Sequence, residues 1–308
     1  MKTLFDTISK RFPPKHCDIQ LGKLIRNVLH NGEWKKTRNG KTISMNAVRM
    51  EFDLQNEYQQ YTPPVVTTKF LPWKTCLKEL LWFIQGSTDN TVLNQQNVKI
   101  WNPNASKEFM RSRNLNYEDE GDLGPIYGHQ WRHFNAPYDG CKKNYTGQGV
   151  DQLQNIIDAL KTKCPENLRR LVMSAWNPCQ LDEMALPPCH VLTQFVINNE
   201  DKLSCILYQR SGDIGLGVPF NMASYGFLTC LLAKHTGLQP GNFYHFIGDA
   251  HIYEKHIPFL EEQIQRIPHS PPNLEILTKQ ENINDYCIND FKLIDYTHHQ
   301  PLKMEMIA

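Results

Sequence analysis

No uninterrupted apolar stretch in the 308-residue chain approaches the roughly 20 residues a membrane-spanning helix needs. The opening run, MKTLFDTISKRFPPKHC, lacks the apolar centre of a secretory signal and reads as a short basic leader, expected to be mobile over residues 1–17. Charge of one sign is also missing: 33 Lys and Arg face 32 Asp and Glu, so bulk attraction to nucleic acid or to a membrane surface is not expected. An anionic substrate would have to be met by a local group of arginines. The nine cysteines are odd in number and scattered, with no CxxC pair and no zinc-ligand spacing. They read as reduced thiols of an intracellular protein, cytoplasmic, with the nucleus as a second compartment left open. Internal repeats and long linkers are absent, so residues 18–308 are expected to form one domain.

What is present is an interleaving of helical and strand patterns. QLGKLIRNVLH at 20–30 sets Leu21, Leu24, Ile25 and Leu29 at helical spacing, and the polar KKTRNGK that follows reads as a loop. Val48, Met50, Phe52 and Leu54 then alternate with Arg49, Glu51 and Asp53 as a half-buried strand. WKTCLKELLWFIQ is apolar nearly all round, which predicts a buried helix. Residues 102–125 are irregular, and 151–163 are an amphipathic helix. Strands are predicted at 171–176, 190–197 and 203–210. A long buried helix is predicted over 219–235, with Pro219 in its first turn and Gly237 as its C-terminal cap. A strand at 243–248, a helix near 256–265 and short strands at 274–278, 291–296 and 302–307 complete the chain. The class is α/β (in the α+β sense), a single domain on a large twisted mixed β-sheet flanked by helices.

Several residues could carry chemistry. In ALPPCHVLTQF, Cys189 stands between a double proline and a strand. A cysteine nucleophile needs nearby positive charge or a base, and His190 is no automatic base because strand neighbours point to opposite faces. Taken alone, the stretch favours a buried structural cysteine, although Pro187 and Pro188 fix the backbone at the strand entrance. Arg169 and Arg170 precede one predicted strand, and Arg210 and Ser211 end another. Arginine and serine beside exposed backbone N–H groups suit a phosphate, and solvated strand ends explain them equally well. Asn221 offers both a donor and an acceptor, as the edge of a uracil-like ring requires. Glu79 falls between Trp82 and Phe83 on the helical wheel, where poor solvation would raise its pKa. The spacings of His245, His251 and His256 fit no common metal site and point to structural or hydrogen-bonding roles.

Together the motifs KELLWFIQGST, KIW, GDLGPIYGHQWRHF, LRR, MALPPCH, YQRSGDIGLGVPFNMASY and GDAHIY, in this order, closely resemble the thymidylate synthase family from about Asp18 onward. The long segment between Trp101 and Gly121 and the stretch YTGQGVDQL are similar to eukaryotic members. The resemblance implies that Cys189 attacks C6 of dUMP, that C5 captures the methylene of 5,10-methylenetetrahydrofolate, and that dTMP and dihydrofolate are released. It implies folate as cosubstrate and no metal. Catalytic roles would fall to Cys189, Glu79, Tyr127, His190, Arg210, Asp213 and Asn221. The dUMP contacts implied are Arg38, Gln209, Arg210, Ser211, Asn221, His251 and Tyr253, with Arg169 and Arg170 supplied by the other subunit of a homodimer formed through a sheet face. Lys69, Ile100, Trp101, Asp213, Leu216, Gly217 and Phe220 would line the folate site. Met306, Ile307 and Ala308 would close over it.

The chain departs from the family pattern in three places, one of them an extra stretch, roughly QQYT at 59–62, that lengthens the loop before TTK. The phosphate-loop arginine normally precedes a TGTGT-like run; here KKTRNGKTIS puts Arg38 there with one deletion and Thr37 without. After TTK the family often has an arginine that helps hold the folate tail, and here Phe70 follows Lys69. Two rival functions remain: a hydroxymethylase of dUMP or dCMP on the same fold, and a non-catalytic nucleotide- or RNA-binding homologue. Asn221 and Trp101 speak against the first; the full set of catalytic groups and the want of a basic patch speak against the second.

Overall fold

A computed structural model describes residues 4–163 and 165–307. Its frame is one six-stranded sheet in the order β1 (Glu33–Thr37), β2 (Gly40–Asp53), β6 (Gln239–Tyr253), β5 (Lys202–Asp213), β4 (His190–Ile197) and β3 (Val172–Ser174). Neighbouring strands are antiparallel except β5 and β6, which run parallel. A parallel pair needs a long crossover, and the helix Gly217–Thr236 supplies it. A separate two-stranded ribbon joins β7 (Asn273–Ile276) to β8 (Phe291–Ile294).

The helices are α1 (Leu4–Ser9), α2 (Cys17–Asn31), α3 (Trp73–Ile84), α4 (Asn90–Gln95), α5 (Asn102–Ala105), α6 (Lys107–Ser112), α7 (Tyr127–His133), α8 (Gln152–Thr162), α9 (Gly217–Thr236) and α10 (Ile257–Gln263). The crossover α9 is the centre of the core. Met222, Ala223, Phe227, Leu228, Leu231 and Leu232 are fully buried, consistent with a helix that has no polar face. Pro219 lies in its first turn, and Gly237 ends it at φ 79°, in the left-handed region that glycine adopts without strain. Gly226 is there for space: a Cβ would lie 2.4 Å from Pro64 Cδ. The opposite face of the sheet carries exposed Val196, Tyr208 and Phe246, with Val172 at the edge strand. Tyr208 and Phe246 are register partners on β5 and β6.

Four expectations change. KKTRNGK is not a loop but the tip of the β1–β2 hairpin, because its polar residues sit on an exposed edge strand where they cost nothing. Residues 302–307 form no strand. The stretch 102–125 contains the short helices α5 and α6. From Leu4 on, the expected leader is folded onto the domain: Phe5 and Ile8, one helical turn apart, are buried, and Phe5 packs directly over Gly22 of α2. Arg26 reinforces that contact, bonding Asp6 at 2.7 Å and lying 5.1 Å from the Phe5 ring.

Where the N-terminal segment joins α2, His16, Cys17 and Asp18 bring three potential metal-ligand atoms together. Their donors and acceptors are already spent. Asp18 accepts from the backbone N–H and hydroxyl of both Thr67 and Thr68. His16 accepts from the Asp18 N–H through Nδ1 and donates to the His269 carbonyl through Nε2. This reads as a structural knot pinning α2 to the loop before α3. Replacing Asp18 with Ala would leave the backbone N–H groups of Thr67 and Thr68 buried without an acceptor, while their hydroxyls keep bonds to His269 and Gln263. The expected loss of stability is on the order of 3 kcal/mol, read as a lowered urea midpoint with unchanged slope.

Candidate active site

Cys189 sits on the last residue before β4, half-buried. Its position is set by two residues from elsewhere in the chain. The Cys189 N–H donates to the Tyr127 hydroxyl at 2.7 Å, and its carbonyl accepts from the Arg210 N–H at 2.9 Å. Arg210 then returns through its side chain: Nε donates to the Pro188 carbonyl and an NH2 nitrogen to the Pro187 carbonyl, each at 2.9 Å. The double proline thus has a clear physical role. With φ locked by the rings, the two carbonyls are held toward the Arg210 guanidinium and accept from it. Trp176 lies 5.8 Å beneath that guanidinium, a contact for which the sequence carried no signal. Arg210 has five N–H groups, so donors remain for an anion.

Burial is the largest influence on the Cys189 thiol and pushes its pKa up, while the Arg210 charge pulls it down. Arg210 offsets desolvation without overcoming it. Arg169 and Arg170 lie exposed before β3, and no contact of theirs with Cys189 or Arg210 occurs among the described residues.

On the other side of Cys189 stands an aromatic wall. Tyr127 lies 4.8 Å from Phe83, 6.2 Å from Trp101 and 5.1 Å from the His190 ring. Glu79 is buried behind it, and Trp101 Nε1 donates to Glu79 Oε1 at 2.7 Å. Burial raises the Glu79 pKa to about 7, with the Trp101 bond opposing the shift. The poor solvation anticipated from the helical wheel is what the fold produces, and a carboxyl poised there can give or take a proton near neutrality.

Asn221, in the first turns of α9, is oriented by a chain of amides. His245 Nε2 bonds Gln209 Oε1 at 2.8 Å, and Gln209 Nε2 donates to Asn221 Oδ1 at 3.0 Å and to the Ser211 carbonyl at 2.8 Å. Since Asn221 Oδ1 is the acceptor, its NH2 group is left to act as a donor. His245 is fully buried and burial lowers its pKa to about 3, so it is neutral and donates through Nε2. Burial likewise lowers His190 to about 4, with Asn221 opposing, so neither imidazole holds a charge near neutrality.

The far end of the site is built by β6 and the hairpin. Ser211 Oγ approaches His251 Nδ1 at 3.5 Å, and the same nitrogen lies 3.2 Å from Asp249. The His251 and Tyr253 rings meet edge to face at 5.3 Å. Tyr253 pairs with Thr42 across β2 and β6, so the β1–β2 turn projects beyond it. Arg38 is exposed at that turn with Nε donating to Asn39 at 2.9 Å. Its charge acts on the Tyr253 hydroxyl, where burial is the larger effect. Thr37, the other candidate, instead donates its hydroxyl to the Gly40 carbonyl and closes the turn.

Of the remaining candidates, Leu216, Gly217 and Phe220 are half-buried where the β5–α9 turn meets α9, and Ile100 is half-buried beside Trp101. Asp213 accepts from the Gly215 N–H at 2.8 Å. Lys69 does not reach outward: it is buried, with Nζ donating to the Gly215 carbonyl, and burial lowers its pKa to about 8. Phe70 is exposed and lies 4.9 Å from the His298 ring. Met306 is exposed, and Ala308 lies outside the described residues. His245, His251 and His256 each bond different partners.

Comparison with known proteins points the same way as this geometry. The thymidylate synthase family model matches residues 20–308. Thymidylate synthase of Homo sapiens is 49% identical over 294 residues, 95% of this chain and 91% of the relative. Thymidylate synthase of equine herpesvirus 2 is 47% identical over 292 residues, 94% of this chain and 98% of the relative. The bifunctional dihydrofolate reductase-thymidylate synthase of Leishmania major is 46% identical over 301 residues, 97% of this chain, and the chain spans only 57% of that relative's length. Matched along nearly its whole length at this level of identity, the chain belongs to the thymidylate synthase family.

Proposed function

We propose that the protein converts dUMP to dTMP with 5,10-methylenetetrahydrofolate as donor of both carbon and hydride, releasing dihydrofolate. The observation that carries this reading is the double grip of Arg210 on the Pro187–Cys189 backbone, which puts a cysteine sulfur and an anion-binding guanidinium side by side. The Cys189 sulfur adds to C6 of the pyrimidine, and C5 then bonds the methylene carbon. Loss of the C5 proton and elimination of tetrahydrofolate leave an exocyclic methylene, to which that folate delivers a hydride; the sulfur departs and dihydrofolate is left. Glu79, with a pKa of about 7, suits the proton transfers. Trp101 and Tyr127 are buried and suit exclusion of water. The NH2 of Asn221 can donate where uracil accepts at O4, which favours dUMP over a cytosine nucleotide.

The active unit is a homodimer on the same reading. The exposed Val196, Tyr208 and Phe246 on one sheet face are the surface such a pairing would bury, and it would bring Arg169 and Arg170 to the partner's site. A reducing, cytoplasmic setting belongs with it, since Cys189 must be a free thiol to attack.

An absorbance assay with dUMP and methylenetetrahydrofolate should show dihydrofolate forming in the wild type and none with dCMP. Cys189→Ser should abolish turnover while dUMP still binds, as measured by calorimetry; dTMP formation by that variant would sink the mechanism. Asn221→Asp should move preference toward dCMP, and an unchanged preference refutes the assigned role. Refolding an Arg169→Ala/Arg170→Ala double variant with Cys189→Ser should restore one working site per mixed dimer. No recovered activity counts against shared sites.

A further inference from the structure

His256 is fully buried, and the catalytic roles assigned above do not use it. It stands where three separate parts of the chain meet. Its Nε2 bonds the Glu305 carbonyl at 2.8 Å. Its Nδ1 lies 3.4 Å from Asp213 Oδ1, within ion-pair reach of a charged ring although outside hydrogen-bond geometry. Its ring also packs on the β5–α9 turn so closely that a Cβ on Gly215 would sit 2.5 Å from Nδ1. That turn is held from its other side by Lys69 Nζ on the Gly215 carbonyl.

The C-terminal segment has no regular structure over residues 297–307 and is held at a few points. Thr67 and Arg266 bond it at His299 and Gln300, Met304 packs on the core, and His256 takes Glu305. The exposed ion pair of Lys255 with Glu305 adds little. Met306, immediately after Glu305, is exposed. His256 therefore marks where the anchored part of the segment stops.

We propose that His256 is a positioning residue that ties the Asp213–Gly217 turn to the C-terminal segment, so that Met306 and Ile307 are delivered to the folate side of the site. The inference deepens the proposed function and rests on it for the identity of the cosubstrate. The tie also depends on a proton. A nitrogen facing a carbonyl oxygen can only donate, and so can one facing a carboxylate, so the ring matches both neighbours only when both nitrogens carry hydrogen. The titratable and charged groups around it are Asp213, Lys69, Tyr253, whose ring meets the imidazole edge to face at 5.6 Å, and, outside, the Lys255–Glu305 pair. Burial is the largest single influence and disfavours the charge, but Asp213 and the Glu305 carbonyl together outweigh it and Lys69, raising the pKa above the ordinary 6.5. A raised folded-state pKa means the tie is complete below the ordinary value and is lost as pH rises through the folded one.

The test uses the whole protein with His256→Leu, which removes both nitrogens, and His256→Gln, which keeps one donor and no charge. In His256→Leu, KM for methylenetetrahydrofolate should rise about tenfold, the worth of one charge-assisted hydrogen bond, while KM for dUMP stays unchanged. His256→Gln should fall between. Wild-type folate KM should climb as pH passes the His256 pKa, and both variants should lack that step while keeping the one Glu79 contributes near 7. Separately, carboxypeptidase acting on the ligand-free chain at pH 6, calibrated on a free peptide, should trim past Glu305 faster in His256→Leu than in the wild type. Equal rises in both KM values, a wild-type profile without that step or unchanged trimming would overturn the proposal. Absence of turnover in the wild type would instead refute the proposed function, and trimming would still decide whether the tie exists.

Discussion

The placement of Arg210 organises the chemistry of this molecule. Its N–H is part of the β4–β5 pairing around Cys189, and its side chain closes on the two proline carbonyls just before that cysteine. One residue therefore fixes the approach of the nucleophile through the backbone and sets the electrostatic field on it through the guanidinium. The arrangement requires the β5 end to lie beside the β4 start, which the antiparallel register of the two strands supplies. The parallel partnership of β5 with β6 then brings Ser211 level with Asp249 and Asp213 level with His251. Cysteine, phosphate-binding candidates and ribose-side candidates become neighbours because three strands end together.

The burial that gives the site its character works in opposite directions on its members. It raises Glu79 to about 7, where a carboxyl is useful as a proton carrier, and it lowers His190 to about 4 and His245 to about 3, where an imidazole is a fixed neutral hydrogen-bonding group. The same burial holds the Cys189 thiol up against the pull of Arg210. The histidines are thus poor candidates for the base that ionises Cys189. Their part is to orient: His245 fixes Gln209, and Gln209 fixes Asn221.

Much of the fold could be read from residue patterns, and the reasons are local. The α9 pattern, with Pro219 near its start and Gly237 just after its end, is carried by neighbouring residues alone. So is the amphipathic α8 and the alternation in β2. The misreadings also share a cause. KKTRNGK is polar and turn-rich whether or not it pairs, and only the partner strand β2 makes it a hairpin. The apolar turn of Phe5 and Ile8 is too short to be stable as an isolated helix, and it is Gly22 of α2 that gives it a seat.

By itself the sequence determined the family motifs, the helical setting of Glu79 among aromatics and the stiff proline entrance to Cys189, because these depend on residue identity and short-range spacing. Tertiary structure decided how those parts act. It turned Lys69 inward to the Gly215 carbonyl, placed Trp176 beneath Arg210, aligned Gln209 with Asn221, and brought His256 between Asp213 and Glu305. Each of these is a contact between residues on different elements, and its geometry follows from strand register and helix packing, which no local pattern specifies.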